Sequence, residues 1–124
     1  MTTSAKALAV IDGALCLLDG RGTRAVWHAP LATAVMEFRR GSLRTYVREH
    51  PFGLLPGLSN LYCLDGAHRL QWMAEWPDPA DPCTGIVGEK GGALVAVAAS
   101  GAEVRLDVHT GRLLGWTQPN AATG

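Results

Sequence analysis

The side chains with chemistry to offer are few and scattered. Four histidines (His28, His50, His68, His109) and three cysteines (Cys16, Cys63, Cys83) are the candidate soft ligands. Zinc sites gather such residues at short, repeated spacings, and no histidine here has a Cys or Asp neighbour at one of them. The odd number and wide separation of the cysteines read most simply as reduced thiols in a cytoplasmic protein. Asp78 and Asp81 share one loop, but two carboxylates are too few for calcium. Flanked by Pro77, Pro79 and Pro82, they read as turn formers in a rigid linker. Ser59 and Ser100 lie in turn contexts, and no nucleophile elbow, phosphate loop or paired acid and base is present. No catalytic residue, metal or cofactor is therefore expected.

Two stretches offer binding chemistry instead. Arg39, Arg40, Arg44 and Arg48 cluster on one predicted hairpin, with Arg44 and Arg48 on the same face by strand period. They would suit an acidic partner or phosphate, or simply keep a solvated hairpin face from edge pairing. The loop from His50 to Ser59 carries Phe52, Leu54, Leu55 and Leu58 between helix-breaking residues, whereas loops are usually polar. Those four residues either cap the open end of the chain's own core or form an apolar contact surface for another chain.

The elements that must position these residues follow from composition and repeats. At 124 residues, 48% hydrophobic and 18% charged, the chain has the size and composition of one globular domain. Eleven Lys and Arg balance eleven Asp and Glu, which argues against a field that draws in nucleic acid or anionic membrane. No apolar run reaches the ~20 residues that span a bilayer as a helix. Three segments align around one dipeptide: Ala14 to Asp19, Asn60 to Asp65 and Glu103 to Asp107, each an apolar strand ending in Leu-Asp. A short turn follows each, then a second strand carrying Trp27, Trp72 or Trp116. Asp19, Asp65 and Asp107 are placed to accept from turn amides, and glycines such as Gly111 supply positive φ. Each Trp is expected to cover its hairpin beside the turn. From Asp19 to Asp65 is 46 positions and from Asp65 to Asp107 is 42, the period of a four-stranded propeller blade.

About eleven strands and no helix are predicted. Thr33 to Arg39 pairs with Leu43 to Glu49, and Thr84 to Glu89 with Ala93 to Ala99. The last of these, apolar on both faces, suits a central strand with sheets on either side. The first unit lacks an opening strand. The chain is thus read as one all-β domain with units at about 5–29, 31–76 and 83–118.

The run Asn60-Leu61-Tyr62-Cys63-Leu64-Asp65 followed by Trp72 resembles the PQQ-like β-propeller repeat, x-L-Y-A-L-D-x-x-T-G-x-x-x-W. The segment from Leu106 to Trp116, with Asp107, Thr110-Gly111 and Trp116, is the fuller match. This resemblance spans the three units and implies blade-like sheets. It leaves function open, because such propellers include quinoprotein dehydrogenases, membrane-assembly scaffolds and sensor domains. The adjacent cysteine pair and calcium-binding carboxylates of the quinoprotein enzymes have no counterpart here. Three units also fall short of the four that close the smallest propeller. The alternatives are an open or dimer-completed propeller fragment and a compact two-sheet sandwich. The function expected is a non-catalytic protein-interaction or regulatory module, acting on a protein partner or as a homo-oligomer. The runner-up is a small-ligand-binding protein or minor enzyme with a pocket between the units.

Overall fold

Short β-rich runs separated by Gly, Pro and Asp leave the backbone few options beyond hairpins. The computed structural model describes residues 7–22, 24–52 and 58–117, and these residues form eleven strands and no helix. The first sheet holds β1 (Ala7–Ile11), β2 (Ala14–Leu18) and β3 (Arg24–His28). The second holds β4 (Val35–Arg40), β5 (Thr45–Glu49), β6 (Leu61–Leu64) and β7 (Leu70–Met73). The third holds β8 (Cys83–Lys90), β9 (Ala93–Ala98), β10 (Glu103–Asp107) and β11 (Leu113–Trp116). Every pairing is antiparallel between chain neighbours, and among the described residues no sheet closes into a barrel. Two-residue turns make the tightest hairpins. Asp12 and Gly13 (φ 52° and 76°) join β1 to β2, and Gly91 and Gly92 (φ 58° and 82°) join β8 to β9.

The second sheet lies between the other two, and strand alternation divides its side chains between two cores. Tyr46, Leu61, Cys63 and Trp72 pack with Ile86, Leu94, Ala96, Val104 and Leu106 of the third sheet. Val47, Tyr62 and Leu64 pack instead with Leu15 of the first sheet, backed by Leu8, Trp27, Phe38 and Met73. All four residues of β6 are therefore buried. Burying a Leu such as Leu61 or Leu64 is worth about 1.5–3 kcal/mol relative to exposure. The strands with sheets on both faces are thus those of the second sheet, β5 and β6 most fully. The run Ala93 to Ala99, predicted for such a place, forms β9, which lies between β8 and β10 in an end sheet. Its Leu94 and Ala96 face the second sheet, while among the described residues no sheet covers the opposite face.

Each Leu-Asp turn is held by its aspartate. Asp19 Oδ1 accepts from the Arg21 amide (2.8 Å), and Asp65 Oδ1 from those of Ala67 and Arg69 (2.8 and 3.0 Å). Asp107 Oδ1 accepts from His109 and Thr110 (2.7 and 3.3 Å). Instead of covering their own hairpins, Trp27 and Trp72 lean on the turn of the following unit. Trp27 lies 3.6 Å from His68, centroid to centroid. Trp72 abuts Gly111 and donates its indole N–H to the Val108 carbonyl at 3.0 Å.

Trp116 behaves differently. It stands nine positions after Asp107, against seven from Asp65 to Trp72. Gly115 consequently pairs with Arg105 where Trp72 pairs with Cys63, and Trp116 pairs with Val104. Its side chain thus falls on the face turned toward the second sheet, at the rim, and remains 47% exposed beside Pro77, Asp78 and Asp81.

Candidate functional site

Glu49 ends β5 on the same face as Val47, where period two demands an apolar residue. It is 1% exposed, yet its carboxylate is fully engaged. Oε1 accepts from the Ala32 and Thr33 amides (3.0 and 2.9 Å), and Oε2 accepts from the Leu31 amide (2.6 Å) and from the Tyr62 hydroxyl. Because Tyr62 spends its proton on Glu49, its oxygen must accept from His28 Nε2–H, 2.6 Å away. That fixes the neutral His28 tautomer. Burial pushes the Glu49 carboxyl up, but the bonds from Tyr62, Thr33, Leu31 and Ala32 outweigh it and hold it below the usual carboxylate range. Burial lowers His28, against the opposing pull of Glu49, with His68 lowering it further. Burial raises the Tyr62 hydroxyl, and its bond to Glu49 adds to the effect. The network thus rests as carboxylate, phenol and neutral imidazole, and it clamps the 31–33 loop to the second sheet.

Asn60 extends this anchor. Its Nδ2 donates to the Glu49 and Cys83 carbonyls (2.9 and 2.8 Å), and its Oδ1 accepts from the Cys83 amide (3.1 Å). This ties the end of β5 to the start of the third sheet. Beside Asn60 opens a groove of about 320 Å³. Its lining includes Pro51, Phe52 and Leu58 together with Trp76, Pro79 and Pro82. Trp76 is fixed by its indole N–H donating to the Asp81 carbonyl (2.6 Å). Phe52, at the rim, is 78% exposed.

Of the apolar loop residues singled out in the sequence, Phe52 and Leu58 line this groove, while Leu54 and Leu55 lie outside the described residues. The four arginines do not converge on one point. Arg48 pairs with Glu37 (2.8 Å), and Glu37 also accepts from the Ile86 amide. Arg44 donates to Gln71 Oε1 (3.0 Å) and meets His109 Nδ1 (2.9 Å). Arg39 lies over Gly88, and the Arg40 guanidinium stands 5.7 Å from the Trp27 ring centroid. Arg40 and Arg44, with Trp27, Ser42, Thr45 and Asp65, line a second depression of about 330 Å³.

The linker carboxylates turn inward to their own neighbourhood. Asp81 accepts from the Ser100 amide and hydroxyl (2.7 and 2.5 Å), and Asp78 from the Ala80 amide (2.9 Å). Among the described residues no three His, Cys, Asp or Glu side chains come together as a metal site. Cys63 and Cys83 are pushed up to about 12, chiefly by burial, and stay protonated at neutral pH. Among the described residues no helix is long and apolar enough to cross a membrane.

Sequence reasoning missed the His28–Tyr62–Glu49 network altogether. One signal was present: a charged residue at the apolar register position two beyond Val47. The assembled picture is an all-β stack of three open antiparallel sheets with an apolar groove at one end. No protein-family model matches the chain, and no curated protein does.

Proposed function

We propose that the chain is a non-catalytic protein-interaction or regulatory module that takes a polypeptide partner, or a second copy of itself, in the groove beside Asn60. The observation that carries this reading is Phe52, a large ring 78% exposed on a backbone that is not free to hide it. The His50 amide donates to the Ala34 carbonyl (2.7 Å), and the His50 carbonyl accepts from the Thr33 hydroxyl (2.7 Å). The Phe52 amide donates to His50 Nδ1 (3.1 Å). An aromatic side chain held in water next to Trp76 and prolines is what a partner's apolar side chain would find ready-made. The buried ionisable groups support a non-catalytic role, since Glu49, Tyr62 and His28 are committed to holding the 31–33 loop.

The test is light scattering and chemical cross-linking on the wild type and on a Phe52→Ser, Leu58→Ser double variant. Self-association or partner retention by the wild type and its loss in the variant are expected. Equal behaviour of the two proteins would overturn the reading.

The depression beside Trp27 favours a second reading, a small-ligand site between the units. Arg40 and Arg44 there would suit a small anion. A thermal-shift screen with phosphate and nucleotides decides it: a true ligand at 100 times its Kd should add about 2.7 kcal/mol.

A further inference from the structure

Among the described residues the first sheet holds three strands where the other two hold four, and the geometry of those two identifies the vacancy. The second and third sheets run in chain order from β4 to β7 and from β8 to β11. In each, the Leu-Asp strand is third (β6, β10), whereas in the first sheet it is second (β2). The vacant position is therefore the counterpart of β4 and β8, next to β1. Packing gives the same answer. Both β4 and β5 lie against β8, so the missing strand and β1 should both lie against β4. β1 does so, and Phe38 of β4 remains only partly buried.

The edge of β1 is open for pairing. The two-residue turn at Asp12-Gly13 makes Ile11 and Ala14 a hydrogen-bonded pair, so by alternation Ala9 and Ala7 also bond to β2. The N–H and C=O groups of Leu8 and Val10 then point away from β2, and among the described residues no strand pairs with that edge. The sequence Ala-Leu-Ala-Val-Ile carries no charge and no proline, the devices that usually blunt an exposed edge.

We infer that β1 is a docking site for one extended peptide strand, added antiparallel at the position of the missing opening strand. The occupant is a proline-free segment with the pattern of β4 or β8, its inward side chains apolar to meet Phe38. This surface is distinct from the Phe52 groove, so either reading can fail while the other stands.

The probes are two blocked synthetic peptides with the sequences of residues 33–41 and 83–91, both free of proline, titrated into the full chain. In the free protein the Leu8 and Val10 amides should exchange with solvent far faster than those of Ala7, Ala9 and Ile11. A bound peptide should slow exchange at Leu8 and Val10 by at least about tenfold. Val10→Pro removes an outward N–H without touching a β1–β2 bond, and should weaken peptide binding about tenfold or more while circular dichroism is unchanged. The Phe52→Ser, Leu58→Ser variant should bind the peptides as wild type does. Leu8 and Val10 amides already protected in the free chain, no slowing with either peptide at about 1 mM, or equal binding by Val10→Pro would each overturn the inference.

Discussion

The ring of Trp72 rests on Gly111, one sheet further along the chain, so closely that a Cβ at Gly111 would overlap it. Gly111 also needs its freedom, with φ at +74°. Gly111→Ala would meet both the left-handed backbone penalty and a displaced indole. We expect a loss of about 2–4 kcal/mol in urea unfolding.

The repeat tryptophans of the second and third units, Trp72 and Trp116, should respond differently to removal. Trp72 is 7% exposed and bonded to Val108, so Trp72→Ala should cost about 3–5 kcal/mol. Trp116 sits half out at the rim, and Trp116→Ala should cost about 1 kcal/mol or less. Denaturation midpoints of the pair, measured side by side, check the register difference between their strands.

Glu49→Gln keeps the shape but replaces an acceptor oxygen with an NH₂ facing amide donors. With four donors converging on that carboxylate, a loss of about 3 kcal/mol is expected. Tyr62→Phe should cost about 1–3 kcal/mol, because it leaves His28 and one Glu49 oxygen each short of a partner. Unfolding of the double variant should show non-additivity, as members of one network do.

Acid should destabilise the fold in two stages. Both His28 and Glu49 have folded-state pKa values below their ordinary ones, 6.5 and 4.5. Between the two states the unfolded chain binds more protons, so stability rises with pH through each window. The His28 contribution is complete above 6.5 and is lost as pH falls toward its lowered value. The Glu49 contribution is complete above 4.5 and is lost below that. Thermal melts of the wild type should decline from neutral pH downward, and His28→Phe should flatten the upper part of that decline.

Much of the architecture was legible in the residues. The Leu-Asp repeats, the Gly-rich turns and the prolines between runs mark eleven strands in three units, because hairpin chemistry is local. What sheets face each other is not local, and there the sequence reading went astray. The run Ala93 to Ala99 looks like a strand covered by sheets on both sides, but β9 lies in an end sheet and faces the second sheet through Leu94 and Ala96. The Trp pattern looks uniform, yet two extra residues between Asp107 and Trp116, relative to Asp65 and Trp72, place Trp116 opposite Val104. The Glu49 network depends on side chains 34 and 13 residues apart, from His28 to Tyr62 and Tyr62 to Glu49. Only the fold brings them together. The groove was half visible, since Phe52 and Leu58 stood out as apolar loop residues, whereas Trp76 read as part of a linker.

The central claim, that the Phe52 groove receives a polypeptide, is tested most directly by site-specific photo-cross-linking. A benzophenone side chain is placed at position 52 and, as a control, at Val26, a 65% exposed position on the first sheet. We expect a single defined adduct from position 52, either a second copy or one partner, and none of that species from position 26. Identical adducts from both positions, or none from position 52, would contradict the claim.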